Sequence, residues 1–219
     1  MQKFPIALLG VALLLGAGCA TKNADTTNTS QSSIDETTME QPTPMAQTTC
    51  TVIPQPPTPD RVTTPFDGEL LPDEEVQKKL VRIETAKGNI VFELLPDEGP
   101  CAVSNFVTLV KQGFYDGLTF HRVEPGFVVQ GGDPLGNGTG GPGYRFSDDQ
   151  VNLPYERGIV AMANTGMATT NGSQFFIMLN DTPLPPQYSI FGRVMSGQEV
   201  VEQIAIGDVM ESVTLDDIK

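Results

Sequence analysis

A guanidinium, an amide and an imidazole stand close together in residues 120–133, where Arg122, Gln130 and His121 are set among Phe120, Val123, Phe127, Val128 and Val129. Gly126, Gly131 and Gly132 fall where the backbone must turn sharply. Farther on, Met162, Ala163 and Asn164, then Asn171, Gly172, Ser173, Gln174, Phe175 and Phe176, supply a second apolar and amide cluster. Arginine stays charged at any working pH and offers several donors in a rigid plane. His121 is the sole histidine of the sequence. A nucleophilic triad needs a base and an activated nucleophile, and no Ser or Cys here has an independent claim to that role. His121 therefore reads as a structural or orienting residue. The chemistry on offer is hydrogen-bond donation beside an apolar surface.

The elements that must hold these groups are short. Residues 80–85 and 90–94 alternate apolar and polar around Lys87, Gly88 and Asn89, which is a hairpin signal. Ala102, Val103, Phe106, Val107 and Val110 recur at helical spacing, and Gly113 ends the run. Strands are expected at 118–123, 127–130, 158–162, 174–179, 190–194 and 213–218, with a second helix through Val200, Val201, Ile204 and Ala205. Many short strands, glycine-rich turns and isolated helices suit a mainly β fold closed into an antiparallel barrel. Gly136, Gly138 and Gly141 fit a dinucleotide pattern on paper. That pattern must open an apolar helix, whereas Pro142, Gly143 and Tyr144 follow here, so the stretch reads as a surface loop.

Taken in this order, these segments resemble the signature of the cyclophilin family of peptidyl-prolyl cis/trans isomerases, from about Leu80 to the C-terminus. The resemblance implies a closed antiparallel barrel of about eight strands capped by two α-helices. The family reaction is rotation about the bond before proline, whose barrier of ~18–20 kcal/mol comes from partial double-bond character. No bond is broken, so no metal or cofactor is implied. The site must strip water from the prolyl ring and stabilise an amide nitrogen that becomes pyramidal as conjugation is lost. Arg122 matches the family's catalytic arginine, with Phe127 and Gln130 beside it. Phe127, Phe175 and Leu184 match positions lining the proline pocket, and Val128 a site often occupied by Met. Gln174 matches an amide that, with Gln130, orients the substrate backbone. Ala163 and Asn164 match the segment along which the peptide lies, Asn164 through its main chain, and His121 lies near the site.

Two departures stand out. The family's best-studied eukaryotic members carry a Trp and a His on the loop after the Phe-Phe-Ile strand. This chain has no Trp; Tyr188 takes the His position and Pro183 falls near the Trp position. Tyr188 can still pack on a prolyl ring. The missing indole N–H implies weak inhibition by cyclosporin.

The N-terminal third differs in kind. Lys3 precedes an apolar run from Phe4, followed by Gly16, Ala17, Gly18 and Cys19. A short basic start, an apolar core and small residues mark a secretory signal, too short to span a bilayer. Small residues before a cysteine resemble a bacterial lipobox, although Gly16 replaces the commoner Leu. Residues 1–18 are thus expected as a lipoprotein signal peptide, with Cys19 the lipidated residue. Residues 19–69, rich in Thr and Pro, read as a disordered tether, and 70–219 as the isomerase domain. Of the 3 cysteines, Cys50 and Cys101 remain for an oxidising compartment; a disulfide and free thiols both stay open. A net charge of −14 argues against nucleic acid or anionic lipid as partners.

The expected function is therefore X-Pro isomerisation in exported proteins, by a monomer anchored in a bacterial cell envelope. It would sit on the outer side of the cytoplasmic membrane or in the outer membrane facing the periplasm. The alternative is a proline-peptide-binding module or chaperone without turnover. A hollow barrel for lipophiles fits poorly, because barrels of this size are filled by side chains.

Overall fold

The computed structural model describes residues 49–56 and 64–218. In chain order the elements are β1 (Val52–Pro54), α1 (Asp73–Val76), β2 (Lys79–Thr85), β3 (Gly88–Leu94), α2 (Pro100–Lys111), β4 (Arg122–Glu124), β5 (Val128–Gly131), β6 (Tyr144–Phe146), β7 (Ile159–Met162), β8 (Phe175–Met178), β9 (Ile190–Ser196), α3 (Gln198–Val201) and β10 (Ser212–Asp217). All lie in one compact unit, Pro44–Lys219. Among the described residues no helix is long and apolar enough to cross a membrane.

The alternation at 80–94 folds as expected: β2 and β3 pair antiparallel around a turn at Ala86 and Lys87. An antiparallel sheet of eight strands grows from this hairpin in the order β10-β2-β3-β9-β7-β8-β5-β4. It curls as a half-barrel and does not close, which corrects the expectation of a closed barrel. The reason lies in residues 118–123, expected as one strand. Leu118 and Phe120 instead exchange backbone bonds with Met210, Asp208 and Gly207, and only Arg122–Glu124 joins β5. The bridge between Thr119 and Val209 and these irregular backbone bonds link the two edges without forming a strand ladder. The second expected helix is likewise shorter than its apolar spacing suggests. α3 is a single turn of 4 residues, and Asp208 accepts the Ala205 N–H at 2.7 Å where the chain bends away.

α2 is the one substantial helix among the described residues, and nine of its 12 residues are buried. Its N-terminus has Gly99 and Pro100 and no side-chain cap of its own. Asp149 supplies the cap from a distant loop, accepting the Cys101 and Ala102 N–H groups at 2.9 and 3.0 Å. Burial pushes the Asp149 carboxyl up to about 6 in spite of those bonds. Phe106 on α2 nests among Phe92, Tyr115, Phe175 and Phe191, with centroids 4.7 to 5.8 Å away. Each large apolar side chain so buried contributes about 1.5–3 kcal/mol.

Part of the stretch expected as tether is ordered. Cys50 is buried and disulfide-bonded to Cys101 at the start of α2. β1 then pairs with β6 in a separate two-stranded sheet, and the Gln55 N–H donates to Gly143 O at 2.8 Å. Phe66, only 3% exposed, packs on Tyr144 and Phe146. The domain's packed surface therefore begins near residue 49. The expected signal peptide 1–18, Cys19 and the first part of the tether lie outside the described residues.

Candidate active site

Arg122 and Gln130 face one another across the β4–β5 ladder. Strand pairing alone thus sets the two groups side by side. Arg122 Nη1 donates to Gln130 Oε1 at 3.2 Å, and Gln130 Nε2 donates to Gln174 Oε1 at 3.0 Å. Gln174 Nε2 continues the chain to the carbonyls of Gly138 and Gly140, at 3.1 and 2.9 Å. Each amide accepts on one side and donates on the other, so the relay fixes the orientation of every member. It ends on a glycine loop wound around Asp133, whose carboxylate accepts N–H groups from Leu135, Asn137 and Gly138. Gly132, at φ +82°, lets the chain pass against the Ser173 carbonyl, where a Cβ would stand 2.4 Å from that oxygen. The Arg122 side chain remains 44% exposed, with its Cζ 5.9 Å from the Phe127 centroid and its Nε 3.5 Å from Glu124 Oε1.

Beside this relay a satellite cluster, separate from the main core, gathers Phe127, Val128, Ala163, Phe176, Leu184 and Tyr188. Phe176 meets Tyr188 edge to face at 5.7 Å. Tyr188 is held by Tyr155, whose hydroxyl donates to Tyr188 O and accepts its N–H, both at 3.0 Å. Phe175, expected in this pocket, lies elsewhere: it is fully buried in the main core against Phe106 and Tyr115. The β5–β8 register puts Phe176 opposite Gln130 and Phe175 opposite Gly131. Phe176 is the residue that sequence reasoning missed. Side chains alternate along a strand, so Gln174 and Phe176 share a face; the signal was present in the period of two.

Asn164 has its side chain fully engaged. Nδ2 donates to Gln187 O at 2.7 Å, Asn171 Oδ1 at 3.1 Å and Asp148 Oδ1 at 3.3 Å, while Oδ1 accepts the Gly166 N–H at 2.9 Å. It braces the rim loop against residues 187–188. His121 buries both ring nitrogens without a hydrogen-bond partner among the described residues. Burial lowers its pKa from the ordinary value; Asp133 opposes this and Arg122 adds to it. The ring is therefore neutral near pH 7. Among the described residues no group of three or more His, Cys, Asp or Glu is gathered to hold a metal.

These groups together can grip a flat apolar ring and donate a charged hydrogen bond at its edge. A family model described as cyclophilin type peptidyl-prolyl cis-trans isomerase/CLD matches residues 80–219. Similar proteins include the peptidyl-prolyl cis-trans isomerase of Helicobacter pylori, 47% identical over 150 residues, covering 66% of this chain and 91% of that protein. Peptidyl-prolyl cis-trans isomerase B of Bacillus subtilis is 48% identical over 130 residues, 58% of this chain and 90% of that one. Among solved structures, a cyclophilin-type isomerase of Cryptosporidium parvum, crystallised in the presence of the dipeptide Ala-Pro, matches with TM-score 0.59 and 35% identity, over 63% of this chain and 99% of that one.

Proposed function

Because the chain belongs to the cyclophilin family of peptidyl-prolyl cis-trans isomerases, an assignment carried by the family match and the relatives, we propose that Arg122 is the group that lowers its rotational barrier. The observation that carries this reading is the relay, which holds a permanently charged fork beside the apolar cluster of Phe127, Val128, Phe176 and Leu184. A proline ring seated against Phe127, Val128, Phe176 and Leu184 loses its water. Its amide nitrogen is a poor acceptor while conjugated and a good one when the C–N bond is twisted. An N–H of Arg122 directed at that nitrogen therefore binds the transition state more strongly than either ground state. Gln130 holds the guanidinium in place, so little reorganisation is needed. The main chain at Ala163 and Asn164 offers an edge to an extended peptide. The relative crystallised with Ala-Pro supports proline peptides as the ligand class.

The clients are exported proteins, and Cys19 carries the lipid that keeps the domain at the envelope. This part rests on the sequence alone. Labelled palmitate should enter the wild-type protein and not Cys19→Ser; incorporation that survives the substitution would sink the anchor.

Isomerisation of an Ala-Pro peptide, followed by NMR exchange or protease-coupled absorbance, tests the site. Arg122→Ala should lose about 10²–10³ in kcat/KM, the usual effect of removing one preorganised donor. Arg122→Lys keeps the charge but not the fork and should recover only part of it. Near-wild-type turnover in Arg122→Ala would overturn the role. Peptide binding without turnover in the wild type would overturn the catalytic reading altogether.

A further inference from the structure

Asp148 is a charged residue that neither the relay nor the apolar cluster uses. It stands two residues beyond β6, in the irregular stretch that leads to the α2 cap at Asp149. Its half-buried carboxylate faces amide donors. Oδ1 accepts Asn171 Nδ2 at 2.8 Å and Asn164 Nδ2 at 3.3 Å, and Oδ2 accepts the Thr169 N–H at 3.2 Å. Burial raises the pKa of this carboxyl, and the bonds from Thr169, Asn171 and Asn164 oppose the rise. One side chain therefore holds both ends of the loop at 164–171, which begins at the edge offered to the peptide.

The far end of that loop has an anchor of its own. Asn171 is fully buried, and its carbonyl accepts the Phe146 N–H at 3.0 Å. From this foundation Asp148 reaches to Asn164 and Thr169. Between those two the chain is exposed from Thr165 to Ala168, and Thr169 takes φ +59°. A β-branched residue is a rare occupant of the left-handed region, and it stays there only where its surroundings enforce it. The bond from Asp148 falls on the N–H of that very residue. A carboxylate acceptor makes such a bond stronger than a neutral one would.

We propose that Asp148 is a positioning residue for the isomerisation: by latching Thr169 and Asn164 it sets the main-chain edge at Ala163 and Asn164 against which the substrate backbone extends. The proposal deepens the isomerase reading and rests on it. Without the latch, Thr169 leaves its left-handed conformation and the loop carries Asn164 with it. Contacts along the edge are shared by the planar and twisted states of the substrate, so the latch acts on KM and leaves kcat alone. It matters only for peptides long enough to reach the edge.

Steady-state kinetics on two substrates test it: a capped Ala-Pro dipeptide, and the same dipeptide extended by two residues on each side. Asp148→Ala should raise KM for the extended peptide about tenfold with kcat within about twofold, and change kcat/KM for the dipeptide by less than about twofold. Asp148→Asn keeps the shape and one acceptor oxygen and should raise KM about threefold; it carries the same comparison if Asp148→Ala does not fold. Glycine takes the left-handed conformation freely, so adding Thr169→Gly to Asp148→Ala should bring KM back to within about threefold of wild type. An unchanged KM in the folded Asp148 variants would overturn the latch and leave the isomerase reading intact. An equal loss on both peptides, the mark of a purely structural role, would do the same, and so would failure of Thr169→Gly to recover KM. Absence of wild-type turnover on either peptide would overturn both.

Discussion

Two adjacent phenylalanines should fail in different ways, and the difference can be worked from their surroundings. Phe175 is fully buried and touches three other aromatic rings of the main core. Phe175→Ala should cost about 3–5 kcal/mol, the usual range for losing a buried Phe. In a domain of this size that lowers Tm by about 6–20 °C. Well below that temperature its kcat/KM should stay within about twofold of wild type. Phe176 is 6% exposed and belongs to the apolar cluster with Val128, Leu184 and Tyr188. A prolyl ring brings three CH₂ groups, each worth about 0.8 kcal/mol when buried. If Phe176 supplies half of that contact, its loss costs about 1.2 kcal/mol, or roughly tenfold in affinity. Ring desolvation is shared by the cis, trans and twisted states, so Phe176→Ala should raise KM about tenfold and leave kcat nearly unchanged. Arg122→Ala should act mainly on kcat. Thermal melts with steady-state kinetics on both variants are the assay. A larger kinetic loss in folded Phe175→Ala than in Phe176→Ala would refute the assignment of faces.

The Cys50–Cys101 disulfide closes a separation of 51 residues, for which chain entropy gives about 4 kcal/mol. A reductant should lower Tm by about 8–16 °C, and two alkylatable thiols in the non-reduced protein would contradict the bridge. His121 is held below its ordinary pKa by burial, so between its folded value and about 6.5 the unfolded chain binds more protons. Its contribution to stability is complete above pH 6.5 and is lost as pH falls through that window. kcat/KM should accordingly be flat from pH 6.5 to 8.5, and a bell-shaped profile there would revive a proton-transfer role. Cyclosporin should inhibit weakly, because the chain has no Trp to donate an indole N–H; nanomolar inhibition would contradict this.

By itself the sequence determined what is local. Arg122, Phe127, Val128 and Gln130 belong to one tight hairpin, so their spacing already brings them together. The β2–β3 hairpin and α2 were legible for the same reason: their hydrophobic periods match the elements they form. What the tertiary structure decided is everything that depends on partners distant in the chain. Phe175 and Phe176 have the same chemistry; the period of two already puts Phe176 on the face of Gln174, and the pairing of β8 with β5 sets that face beside Gln130. The cap on α2 comes from Asp149, and the disulfide joins residues 51 apart. The sheet stays open because residues 117–120 meet 207–210 through irregular bonds that never become a strand ladder. The segment at 52–56 looks like linker from its prolines, yet it is ordered on the domain because β6 offers it an edge to pair with. Composition and period report on neighbours in sequence; which face is buried, and against what, is fixed by contacts that period cannot see.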